Sequence, residues 1–334
     1  MSAAAGWRVC VAPMMDVTDR HCRYFLRQIA PRVRLYSEMI TADAIIHGDR
    51  ARLLDFDAAE HPLALQLGGH DPRSLVSAAR VAAAWGYDEI NLNVGCPSDR
   101  VREGRFGACL MLDAGRVAHC VEAMAEAVSV PVSIKTRIGV DDHDSYEFLA
   151  GFVERVAGAG CNTFIVHARK AILKGLSARE NREIPPLQPG RVHRLKREFP
   201  QLTIVTNGGI RDLETIRHEL AAVDGVMIGR KAAEDPCFLA AVEAGFLTGT
   251  DAEGGVDREQ VVERMADYAA RQARHGVPLH RVARHMLGLY HGQRGARAWR
   301  RFLAEGARGT QASPRLLTAS LGVLHAAGRD GIID

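Results

Sequence analysis

The chain has 334 residues, with 43 lysines and arginines against 40 acids and 47% hydrophobic residues. That composition excludes a disordered chain, a collagen-like fibre and a simple coiled coil, and no stretch of 18 uninterrupted apolar residues is available to cross a bilayer. The N-terminus has no basic segment followed by a long apolar core, so a cytoplasmic protein without a secretory leader is expected.

Short β-branched runs follow one another along the first 230 residues. They occupy residues 9–14, 35–39, 63–69, 89–95, 132–138, 163–169, 203–209 and 225–230. Their starts lie 22 to 43 residues apart, which leaves room for a loop and a helix in every gap. Segments 71–86 and 212–223 carry helical spacing. Eight β-then-α units over about 230 residues predict an α/β fold, a (β/α)8 TIM barrel. No GxGxxG follows the first strand, and polar residues fall at the ends of many different strands; both features favour a barrel over a doubly wound sheet. After Asp235-Pro236 the β pattern stops. Residues 249–257 read as a Gly-rich acidic linker, and about four helices follow, so a C-terminal all-α helical bundle is expected. The division expected is residues 1–248 for the barrel and 249–334 for the helical part.

The seven cysteines are Cys10, Cys22, Cys96, Cys109, Cys120, Cys161 and Cys237. Their odd number and the lack of any CxxC pair argue against a disulfide framework and against a paired-cysteine zinc site. Cys96 stands apart, because Gly95 and Pro97 place it in a strand-end loop at the expected mouth of the barrel. A thiol there can serve as nucleophile or proton donor.

Active sites of βα barrels lie at the C-terminal ends of the strands. Strand one ends in Pro13-Met14-Met15, strand three carries Gln66, and strand four ends in Asn91-Leu92-Asn93-Val94-Gly95-Cys96. Strand five offers Lys135 and Arg137, strand six His167 and Arg169. Asn207-Gly208-Gly209 and Gly229-Arg230 close strands seven and eight. Glycines at those two ends expose backbone N–H groups and suit a phosphate, to which Arg230 adds charge. Lys135 inside a sheet calls for an anionic or polar partner, or else reaches out at the rim. Gln66 suits a flat ligand with several acceptors, or bonds to backbone within the core. His167 reads equally as a core histidine or a ligand contact.

The run INLNVGCPSDRVREGRFGACLM strongly resembles the tRNA-dihydrouridine synthase family. APMMDVTDRHCR, LALQLGG, VSIKTRIG, FIVHAR, TNGGI and GVMIGR resemble it in the same order, and the tail HMLGLYHGQRGARAWRRFL is similar to subfamily A. The resemblance covers essentially the whole chain. It implies an FMN enzyme, reduced by NADPH, that converts uridines 20 and 20a of tRNA to 5,6-dihydrouridine. Hydride would pass from the reduced flavin to uracil carbon 6, and Cys96 would protonate carbon 5 on the opposite face. By matched motif, Pro13, Met14 and Met15 would back the flavin ring. Gln66, Lys135 and His167 would bond its polar edge; Asn207, Gly208, Gly209, Gly229 and Arg230 would hold its phosphate. Asn93 would position the uracil. No metal is implied, and no obligate protein partner is evident. Val17 and Arg294 depart from the pattern of the family and subfamily.

A base stacked in tRNA must be extruded to reach a flavin, so much of the affinity must come from phosphate contacts. Residues 270–318 hold ten arginines, no lysine and one acid, Glu305. Arg297 and Arg300 in that tail share a helix face, and Arg179 and Arg182 follow strand six; these four are the expected tRNA contacts. The alternative is an FMN-dependent oxidoreductase acting on a small-molecule pyrimidine, which would have no need of the basic tail.

Overall fold

A computed structural model describes residues 6–250, 255–309 and 312–329 of the chain. Residues 251–254 of the expected linker lie outside the described residues. The chain divides into two compact units. One holds the residues up to Asp16 together with Arg34–Gly229; the other holds Val17–Val33 and the residues from Arg230 onward.

The first unit is the expected barrel. Its strands are β1 (Val9–Val11), β2 (Leu35–Thr41), β3 (Leu63–Gly68), β4 (Glu89–Val94), β5 (Val132–Arg137), β6 (Thr163–His167), β7 (Thr203–Asn207) and β8 (Gly225–Ile228). All pairs are parallel, in the order β1-β8-β7-β6-β5-β4-β3-β2. Arg34 closes the ring beside β1: Val11 N–H donates to the Arg34 carbonyl at 2.9 Å, and Arg34 N–H donates to the Val9 carbonyl at 3.0 Å. Each strand starts at its expected residue and most stop short of the expected end. The residues beyond the stops include Pro13, Gly95, Gly208 and Gly209, which break ladder geometry.

Helices cover the outside of the ring. The helix Pro72–Trp85 shows the local logic: Asp71 caps its first turn by accepting from Ser74 N–H at 2.8 Å, proline opens it, and left-handed Gly86 ends it. The strands bury outward-facing Leu63, Leu65, Leu67, Ile90, Leu92 and Ile134 completely. Inside the ring, small residues make room for large ones: Cys10, Ala12 and Ala64 pack with Tyr36, Ile165, Val205 and Met227.

The second unit is helical. It contains α1 (Arg20–Ile29), α2 (Arg258–Ala273), α3 (Leu279–Met286), α4 (Ala296–Gly306) and α5 (Arg315–Arg329). The expectation of one boundary between residues 248 and 249 differs from the observed division, for a packing reason. α1 places its apolar face within the helical unit, where Tyr24 stacks on Tyr268 with ring centroids 4.0 Å apart. Asp19, the cap of α1, also accepts from Arg284 at 2.6 Å and pairs with His285 at 2.9 Å. The short helices Arg230–Glu234 and Phe238–Glu243 join this unit as well. None of the helices described is long and apolar enough to cross a membrane.

Candidate active site

Strand alternation determines which side chains enter the barrel. On β4 the sequence Glu-Ile-Asn-Leu-Asn-Val sends Glu89, Asn91 and Asn93 inward and its apolar partners outward. Ser133, Lys135 and Arg137 enter from β5. Register then sets neighbours: Gln66 lies opposite Asn91, Asn91 opposite Ser133, Asn93 opposite Lys135, Arg137 opposite His167, and His167 opposite Asn207. Residues distant in sequence thus become adjacent strand partners, about 4.8 Å apart across the ladder.

Cys96 sits just past β4 on a loop whose backbone is held from several sides. Asn93 Oδ1 accepts from the N–H groups of Gly95 at 3.1 Å and Cys96 at 2.9 Å. Arg137 Nε donates to the Gly95 carbonyl at 2.9 Å, and Ala108 N–H donates to the Cys96 carbonyl at 2.9 Å. The last contact explains the downstream glycine of the Gly-x-x-Gly-Ala-Cys motif. Gly107 has φ +75°, and a Cβ there would lie 2.5 Å from the Cys96 carbonyl oxygen. The thiol itself is half-buried and lies 3.5 Å from Ser98 Oγ. Burial pushes the Cys120 thiol up to about 11 and Cys161 up to about 12, and it raises Cys10, Cys109 and Cys237 too.

Beside Cys96 lies a group of cations with no carboxylate among their described partners. Lys135 Nζ donates to Asn207 Oδ1 at 3.1 Å. Burial and then the Arg137 charge lower its pKa to about 8, while Cys96 acts in the opposite direction. Arg137, buried, gives its donors to the carbonyls of Gly95, Lys170 and Asn181; burial lowers it to about 10. His167 is held well below the usual imidazole range by burial and then by Arg137 and Lys135. A neutral imidazole therefore faces the site. Such a set of donors suits an anionic or acceptor-rich ligand.

Gln66 is buried, and its partners are neither backbone nor solvent. Its Nε2 donates to Asn91 Oδ1 and its Oε1 accepts from Asn93 Nδ2, both at 2.8 Å. One N–H and one lone pair of the amide remain for a ligand. Asn207 is similarly engaged, by Lys135 and by donating to the Met227 carbonyl at 2.8 Å. The consecutive glycines after it adopt φ +106° and +75°, and a Cβ on Gly208 would meet the His167 ring at 2.8 Å. These two turns demand glycine. Gly229 faces open space, and Arg230 follows it in the other unit. At the end of β1, Pro13 and Met14 are half-buried, Met14 packs on the barrel core, and Met15 is 54% exposed.

Arg179 and Arg182 are exposed on the turn Glu180–Arg182 after β6. The loop carrying them is tied down by buried Asn181, which accepts from Ile172 N–H at 2.7 Å and donates to its carbonyl at 2.8 Å. Arg137 also holds the Asn181 carbonyl at 2.9 Å. In the helical unit, Arg297 is exposed and Arg300 half-buried on α4. Sequence reading missed three residues: Glu89, Ser133 and Asn181. Polar–apolar alternation in EINLNV was a signal for the first. The alternation Val-Ser-Ile-Lys on β5 was a signal for the second, and nothing local marked Asn181.

A family model described as Dihydrouridine synthase (Dus) matches residues 10–322. The chain is 54% identical over 311 residues to a tRNA-dihydrouridine(20/20a) synthase of Synechocystis sp., covering 93% of this chain and 92% of that one. It is 54% identical over 315 residues to the Escherichia coli (strain K12) protein of the same name, covering 94% and 90%. It is 55% identical over 300 residues to that of Xanthomonas campestris, covering 90% and 88%. A solved structure of 2-naphthoyl-CoA reductase with its ligand superposes with TM-score 0.56 at 11% identity, over 71% of this chain and 50% of that chain, a likeness of fold.

Proposed function

The chain belongs to the dihydrouridine synthase family and is a flavin-dependent oxidoreductase that reduces uridine in tRNA; on that premise we propose how its residues divide the work. The targets are uridines 20 and 20a, as the names of its subfamily A relatives state for those proteins. NADPH is the electron source, and the cytoplasm is its place of action.

The observation that carries the reading is the set at the ends of β4–β7: a thiol on a loop whose Gly95 and Cys96 backbone groups are hydrogen-bonded, beside cations that meet no carboxylate among the described residues. FMN fits that set. Lys135 and neutral His167 meet the polar edge of its ring, with the remaining N–H and lone pair of Gln66. Pro13, Met14 and Met15 support its apolar face. Asn207, through its backbone, and Gly208, Gly209, Gly229 and Arg230 take the phosphate. When bound, FMN supplies hydride to uracil carbon 6.

The chain's own residues do the rest. Asn93 has both lone pairs engaged by Gly95 and Cys96, so it offers the uracil only an N–H, a donor for a carbonyl. Lys135 stabilises negative charge that develops during reduction. Cys96 delivers the proton to carbon 5, its loop fixed beforehand so that little reorganisation is needed. Arg179 and Arg182 contact tRNA from the barrel, and Arg297 and Arg300 from the helical unit. The barrel unit acts as the flavin-binding part, and the helical unit contributes to tRNA binding.

The test is spectroscopic. The purified protein should carry a flavin band that NADPH bleaches without oxygen and that unmodified tRNA restores, with dihydrouridine appearing at positions 20 and 20a. A yellow protein indifferent to tRNA would refute the substrate assignment. A protein that binds no FMN would refute the cofactor.

A further inference from the structure

The interior of the barrel contains a continuous line of hydrogen bonds. It starts at the Gly95 and Cys96 N–H groups, which donate to Asn93 Oδ1. Asn93 Nδ2 donates to Gln66 Oε1 at 2.8 Å, and Gln66 Nε2 to Asn91 Oδ1 at 2.8 Å. Asn91 Nδ2 donates to Ser133 Oγ at 2.7 Å, and Ser133 Oγ donates to Glu89 Oε1. Glu89 is completely buried, and it also accepts from Tyr36 at 2.9 Å, Trp7 at 2.8 Å and Arg34 at 3.1 Å.

The direction of this line is fixed at both ends. Backbone N–H groups can only donate, and a carboxylate can only accept. Between them, each of three carboxamides has a single orientation that leaves no oxygen facing an oxygen. Turning any one of them round would leave buried polar atoms without partners, which an interior does not tolerate. The acid at one end and the cysteine loop at the other therefore dictate which atoms Gln66 and Asn93 present to whatever enters the barrel.

We propose that Glu89 is a positioning residue for the reaction: through Ser133 and Asn91 it sets the orientation of the Gln66 and Asn93 amides that face flavin and uracil. The proposal rests on the assignment of Gln66 and Asn93 to those two ligands. It extends the functional set to Glu89, Ser133 and Asn91, none of which needs to touch a ligand. It also says what a neutral replacement would do. In Glu89→Gln, the donors Arg34 and Trp7 claim the new amide's oxygen, so its NH2 faces Ser133. The serine hydroxyl then loses its acceptor; turned toward Asn91, it starts a reversal that runs up the line until it meets the loop N–H groups, which cannot reverse.

The experiment compares Glu89→Gln, Ser133→Ala and Tyr36→Phe in the flavin-loaded enzyme. Tyr36→Phe removes one donor from the same carboxylate without cutting the line. Three quantities are read: the FMN dissociation constant, the flavin midpoint potential, and the single-turnover rate of uridine reduction at saturating tRNA. Glu89→Gln and Ser133→Ala are expected to shift the potential and to slow the single turnover roughly 10- to 100-fold, the scale of a small misplacement of reacting groups. Tyr36→Phe is expected to keep the wild-type potential and rate. If Glu89→Gln does not fold, Ser133→Ala carries the test, since it leaves the Glu89 pairing with Arg34, Trp7 and Tyr36 in place. Ser133→Ala matching Tyr36→Phe in potential and rate, while Gln66→Leu and Asn93→Ala are impaired, would overturn the proposal alone. Normal behaviour of Gln66→Leu and Asn93→Ala too would overturn the site assignment and the proposal with it.

Discussion

The floor and the mouth of the barrel both bury charge, and they differ in how it is compensated. At the floor, Glu89 receives four donors, one of them the Arg34 guanidinium 3.1 Å away. At the mouth, Lys135 has an asparagine, Arg137 has three carbonyls, and neither meets a carboxylate among the described residues. The floor is a finished piece of structure. Among the described residues the positive charge of the mouth meets no carboxylate, and that imbalance is what a ligand with negative charge or many acceptors can relieve. A scaffold residue and a site residue can therefore be told apart by whether the chain itself completes their partners.

Removing the floor's cation should break the comparison most severely. Arg34→Met leaves a buried carboxylate without its charge partner, a change worth about 3–5 kcal/mol of stability, measurable by denaturant unfolding of the flavin-free protein. Gly107→Ala comes next. Its Cβ would lie 2.3 Å from Val101 Cγ1 at a left-handed φ, so a loss of about 2–3 kcal/mol is expected, together with slower uridine reduction as the Cys96 loop shifts.

At the mouth the sign reverses. The unfolded chain keeps this lysine protonated to about pH 10.5 and the folded flavin-free chain only to about 8. Between those values the unfolded chain binds the extra proton, so the penalty of Lys135 on folding is full below pH 8 and shrinks as pH rises. Lys135→Met should thus stabilise flavin-free protein by on the order of 2 kcal/mol at pH 7 and progressively less toward pH 10, while weakening FMN binding. A flavin-free Lys135→Met protein less stable than wild type at pH 7 would remove the contrast between floor and mouth. The smallest effects belong to the surface. Arg297→Ala and Arg300→Ala should each weaken tRNA binding a few-fold and lower the salt dependence by about one counterion, seen by titration at several ionic strengths.

The sequence carried the eight strand starts, because β-branched runs punctuated by glycine and proline are local signals. It carried Cys96, Lys135 and His167 as strand-end residues for the same reason. The partners of Gln66 were not legible, since they depend on the register that sets Gln66 beside Asn91 and Asn91 beside Ser133. Nor was the division of the chain, because the partner of Tyr24 on α1 is Tyr268, 244 positions further on. Arg137 was noticed but its task was not: only the folded loops bring the Gly95, Lys170 and Asn181 carbonyls to one guanidinium.

The most direct test of the central claim is a single turnover of NADPH-reduced wild-type and Cys96→Ala proteins with unmodified tRNA, without oxygen, with dihydrouridine quantified at positions 20 and 20a. Wild type should reoxidise its flavin as dihydrouridine forms. Cys96→Ala should bind FMN and tRNA normally and lose at least about 100-fold in rate, the scale of general acid catalysis. Dihydrouridine formation by Cys96→Ala at the wild-type rate would contradict the account.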